Sequence, residues 1–101
     1  MALTWNENTR KDQGGNVVSQ SYRAQVPGWG EASVHPHIHH PGEMFLDCHA
    51  LGIEMHSLGQ TAPEDALKPA ETELVRMLIQ YVTWCAEALN AIYKEDTSSD
   101  I

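Results

Sequence analysis

The residues best equipped for chemistry lie in one run, His35-Pro-His37-Ile-His39-His40-Pro-Gly-Glu43, with Asp47, Cys48, His49 and His56 downstream. Imidazole and carboxylate are ligands for zinc, iron and copper. Alternate residues of a regular strand share a face, so His35, His37 and His39 converge if the strand is regular, with Glu43 as a fourth ligand for a divalent metal. The plainer alternative is a solvated strand face whose histidines make ordinary surface contacts. Neither a His-x-x-x-His pair in the helical segment nor a Cys-x-x-Cys strengthens the metal reading.

Catalytic groupings are weaker. Cys48 beside His49 pairs a thiol with a base, but neighbours on a strand point to opposite faces. Ser21 and Ser57 lack a nucleophile elbow, and nothing forces Glu43, Asp47 and Glu54 together as acid and base. There is no phosphate-binding glycine loop. The expectation is a protein that is not an enzyme and holds no cofactor, the divalent metal excepted.

The elements that must position these residues fall into two parts. Residues 6–15 (NENTRKDQGG) are polar, lack periodicity and end in Gly-Gly, so they read as a flexible loop after a brief apolar start at residues 2–5. In the run 16–26, Val18, Tyr22, Ala24 and Val26 share one face, while Ser19, Ser21, Arg23 and Gln25 share the other, which predicts a half-buried strand. Further strands are expected over 29–38, 43–50 and 53–58, the last two joined by a tight hairpin at Leu51-Gly52. Thr61 and Glu64 have capping-box spacing ahead of a short helical turn at 63–67. A long helix follows over about 69–93, with Leu74, Leu78, Tyr81, Cys85, Ala88 and Ile92 as its buried seam. Cys48 and Cys85 both read as core residues. Met77, Trp84 and Ala91 widen the apolar surface beyond what a small sheet needs, and could meet a second copy of the chain. Residues 95–101 read as a frayed tail.

The chain has 101 residues, 6 basic and 14 acidic side chains, and a formal charge of −8. That size fits one α+β domain over residues 1–101, a three- to four-stranded antiparallel sheet packed by one long C-terminal helix. The acid excess argues against direct binding of nucleic acid, whose phosphates it repels. No apolar stretch is long enough for a membrane span, and two cysteines suit a reducing cytoplasm. Trp29, between glycines, and the acids Glu31, Glu43, Asp47, Glu54, Glu64 and Asp65 are the candidate contacts for a basic partner surface, with a core-capping aromatic at a strand start as the alternative for Trp29.

Two resemblances bear on function. His37-x-His39-x-x-x-Glu43 resembles the first metal-binding motif of the cupins, but the second motif that a cupin barrel requires is missing. The order "LTW", "SYRAQVPGWGEASV", a hairpin, "LGQTAPEDALKPAE" and one long helix resembles small acidic sheet-plus-helix proteins of phages and other mobile elements. Some of these are anti-CRISPR or other anti-defence inhibitors. The resemblance implies a non-enzymatic inhibitor that occupies a basic, nucleic-acid-binding surface of a host complex. A metal-binding or metal-sensing domain and a homodimeric structural subunit are the alternatives.

Overall fold

A computed structural model of the protein describes residues 3–99. It is α+β, with five antiparallel strands in the order β1-β2-β3-β4-β5 followed by one long helix. The strands are β1 (Asn6–Lys11), β2 (Val17–Val26), β3 (Gly30–His37), β4 (His40–Cys48) and β5 (Ile53–Gln60). Each pairs with its neighbour in sequence, so the sheet is a meander and its two outer strands are open edges.

The strand beyond the expected three or four is β1, which corrects the loop reading over residues 6–11, while residues 12–15 form the turn after it. Every β1 residue is exposed. With neither face buried the strand has no reason to alternate, so its sequence carries no periodic signal. The turn after it is fixed by Asp12, whose Oδ1 accepts the backbone N–H groups of Gly14 and Asn16 at 2.9 Å each. The bond from Asn16, with others from Gly14 and Gly15, holds the Asp12 carboxyl below its ordinary value despite the opposing desolvation.

The alternation in β2 is realised where it matters. Tyr22, Ala24 and Val26 are buried while Arg23 and Gln25 face solvent. Ala32 and Val34 of β3, Met44, Leu46 and Cys48 of β4, and Ile53 of β5 complete the inner face. Between β4 and β5 the expected two-residue hairpin is replaced by a 3-10 turn at His49–Leu51. It ends at Gly52 with φ +72 and buries Leu51 completely. This extra turn plugs the end of the core against the helix, where the Tyr81 hydroxyl donates to the Leu51 carbonyl at 3.3 Å.

Helix α1 spans Leu67–Ser99, two residues earlier and six later than expected, so it runs into the segment read as a tail. The remaining two residues lie outside the described ones. A 3-10 turn at Pro63–Ala66 leads into it, with Ala62 at the N-cap position and no side-chain cap. The capping box therefore does not form. Thr61 lies one position too early, and its hydroxyl donates to the Ala62 carbonyl. Pro69 falls in the first turn, where a missing N–H costs no helical bond.

Only the first turns of α1 reach the core. Leu67, Ala70 and Leu74 are buried, and Met77, Leu78 and Tyr81 are half-buried against it. From Val82 to Lys94 every residue is exposed. A helix of 33 residues is about 50 Å long, far longer than a small sheet can cover. The radius of gyration is accordingly 18.8 Å, against about 13 Å for a compact chain of 100 residues. The molecule measures 75 × 23 × 19 Å.

Candidate functional site

The open face of the sheet gathers most of the candidate chemistry. The pairing of Ser33 with Asp47 and of His35 with Phe45 places the side chains of Glu31, Ser33, His35, Phe45 and Asp47 on that face. Phe45, on this face, is only 5% exposed. Its cover is imidazole: the rings of His35, His37 and His40 lie 6.5, 6.2 and 5.5 Å from it, centre to centre.

The expected convergence of His35, His37 and His39 stops short because β3 ends at His37. Ile38 and His39 form the two-residue turn, and His37 pairs with His40 across it. His37 lies among His39 and His40, at 5.4 and 5.3 Å between ring centres. His35 goes elsewhere. Its Nε2 meets the Asp47 carboxylate and its Nδ1 faces the Pro36 carbonyl at 3.1 Å. Both neighbours are acceptors. Glu43 is engaged by the Ser57 hydroxyl, which donates to it, and lies 3.7 Å from His40. Among the described residues no group of three or more His, Cys, Asp or Glu side chains is arranged to hold a metal.

Asp47 is the most constrained acid of the set. Burial opposes its ionisation, but the bonds from His35 and from the Met55 N–H outweigh that and hold its carboxyl below the ordinary range. The Met55 bond fixes the one non-glycine residue with positive φ among the described residues, +48°.

The acidic candidates do not form one patch. Glu31, Glu43 and Asp47 share the open face, Glu31 lying 3.9 Å from Arg23 across the strand pair. Glu54 is close to His49 at the end of the sheet that carries the 3-10 turn. Glu64 and Asp65 stand exposed at the approach to the helix. Trp29 is not an exposed anchor. It is half-buried against the core, with its ring 5.2 Å from that of Tyr81. The Pro-Gly-Trp-Gly turn folds it inward, onto a helix that local sequence could not place.

A second surface emerges along α1, and the sequence reading only half located it. Cys85 is exposed, not buried, which corrects the core assignment; Cys48 is buried, and burial pushes its thiol pKa up. Ala88 and Ile92, also assigned to the buried seam, are exposed too. Met77 packs against the core, whereas Trp84 and Ala91 face solvent. Val75, Ile79, Val82, Leu89, Ile92 and Tyr93 are all more than half exposed, Val82 reaching 68%. Beside this row, Leu3, Val26, Pro27, Trp29, Leu74, Val75 and Leu78 line an open, mainly apolar groove of about 250 Å3. The polar group at its rim is Glu71, whose Oε2 accepts the Trp5 indole N–H at 2.9 Å and the Leu3 N–H at 3.1 Å.

Compared with known proteins, the chain matches no family model, no curated protein and no solved structure. No helix among the described residues is long and apolar enough to cross a membrane.

Proposed function

We propose that the protein works by contact with protein surfaces: a non-enzymatic, acidic interaction protein whose helix α1 is its principal contact element. The observation that carries this reading is the uncovered stretch of α1, where Val82, Trp84, Leu89, Ile92 and Tyr93 are exposed beyond the end of the core. Contiguous exposed apolar surface of this kind marks sites of association. The partner in the finer reading is a basic surface that normally holds nucleic acid, so that the protein acts as an inhibitor of phage or mobile-element type. The charge of −8 supports that choice, with Glu64 and Asp65 exposed at the helix approach and Glu54 exposed beside His49.

Affinity capture from the native host tests the reading with three proteins: the unaltered chain, Leu89→Ser/Ile92→Ser, and Glu54→Lys/Glu64→Lys/Asp65→Lys. The expected result is a stoichiometric partner that the helix variant loses and that the charge-reversed variant binds at least tenfold more weakly at low salt. A captured set unchanged by both variants contradicts it.

A further inference from the structure

We propose that the surface covering the projecting helix is a second copy of the same chain, laid antiparallel along it; this rests on the reading of α1 as a contact element and names what covers its apolar seam, leaving the acids for a basic surface. From Val75 onward the helix carries a heptad pattern. Val75, Leu78, Val82, Cys85, Leu89 and Ile92 recur at alternating intervals of three and four residues, the spacing of a helix–helix seam. The flanking positions Ile79, Tyr81, Ala86, Ala88 and Tyr93 are uncharged as well, and the charged residues Arg76, Glu87 and Lys94 keep to the opposite side. The sheet occupies the side of Ala70, Leu74 and Met77, leaving Val75, Ile79 and Val82 open.

This seam is self-complementary under a two-fold axis crossing the helix between Thr83 and Trp84. Val75 then meets Ile92 of the second copy, Leu78 meets its Leu89, and Val82 meets its Cys85. All six positions are matched in one register, as an isologous contact requires. The same register brings Leu89 and Ile92 of one copy beside the apolar groove of the other, where Val75 and Leu78 form part of the wall. It also sets large residues against small ones along the flanks, Ile79 opposite Ala86 and Tyr81 opposite Ala88.

Area and charge agree with that occupant. The accessible surface is 7040 Å2, whereas a compact chain of 11.2 kDa exposes about 5,700 Å2. The surplus is about 1,300 Å2 per copy, which leaves surface enough on two copies for a contact of the size obligate homodimers bury, about 2,000–5,000 Å2. Each copy carries a charge of −8. An antiparallel pair places the two sheets at opposite ends of the helices, whereas a parallel pair would crowd them at one end.

Disulfide trapping tests both the partner and its direction. In a Cys85→Ser background, the double variant Val75→Cys/Ile92→Cys should form an interchain disulfide under mild oxidation, while each single variant should not. All three positions needed, Val75, Cys85 and Ile92, are on the helix, exposed and outside the core. As a check independent of cysteine chemistry, Leu89→Lys/Ile92→Lys should keep the near-ultraviolet circular dichroism of the packed core around Trp29 and Tyr81 while its light-scattering mass falls by half. Cross-linking of Val75→Cys alone would overturn the antiparallel register. Absence of any cross-link, with the unaltered chain at 11.2 kDa, would overturn the second copy as partner while leaving the capture experiment to decide whether another protein binds there.

Discussion

At the scale of single residues, the structure ties its acids down unequally. Asp47 is bonded by His35 and by the Met55 N–H, and hydrogen bonds to a charged group contribute about 1.5–3 kcal/mol. Asp47→Asn should therefore cost about 1–3 kcal/mol of unfolding free energy at neutral pH. The sign with pH follows from the lowered carboxyl. Its stabilising contribution is present above the ordinary value of 3.8 and is lost as pH falls through the depressed one. Urea titrations at neutral pH and near pH 2 should show the difference between the two proteins shrinking in acid; a difference independent of pH would contradict the pairing. Glu73 behaves alike, held low first by Arg76 and also by His56. Neither pairing was legible in sequence. His35 and Asp47 are twelve residues apart, and only the register of β3 on β4 brings them together. The histidines were visible as a group, but their division between Asp47 and the Phe45 cover depends on where β3 ends.

Among elements, the sequence spoke clearly wherever one face is buried and fell silent elsewhere. The inner faces of β2 and β4 were readable from alternation, as was the existence of one long helix. Strand β1 was not, since it buries nothing. Periodicity identifies the apolar seam of α1 without saying what covers it, so sequence alone places all of that seam in the core. The two halves of the helix should consequently respond differently to truncation. Leu74→Ala, in the core, should cost about 2–5 kcal/mol at any protein concentration. Leu89→Ala, exposed in the single chain, should change stability only in a concentration-dependent way. Thermal melts over a hundredfold dilution series separate the two, and equal, concentration-independent losses would contradict the division. The turn into β5 gives a further expectation. Gly52 has φ +72, which an L-residue adopts at a cost of about 1–2 kcal/mol, so Gly52→Ala should lower stability by about that amount in denaturant titration.

For the whole molecule, the defining property is shape. A small sheet closes its core with about four turns of helix, and the same helix then runs on uncovered, giving a body 75 Å long. Isolated helices of twelve to fifteen residues are marginal in water, so a projecting stretch with this apolar face gains its order from whatever covers it. A second copy in the antiparallel register supplies that cover symmetrically. It leaves the open face of the sheet, with Phe45 under its histidines, and the acids at the sheet end and helix approach available to other partners. The measurement that tests this most directly is sedimentation equilibrium of the unaltered protein over a wide dilution range. A species of twice 11.2 kDa, dissociating only on dilution, is the predicted result; a mass of 11.2 kDa at every concentration would contradict it.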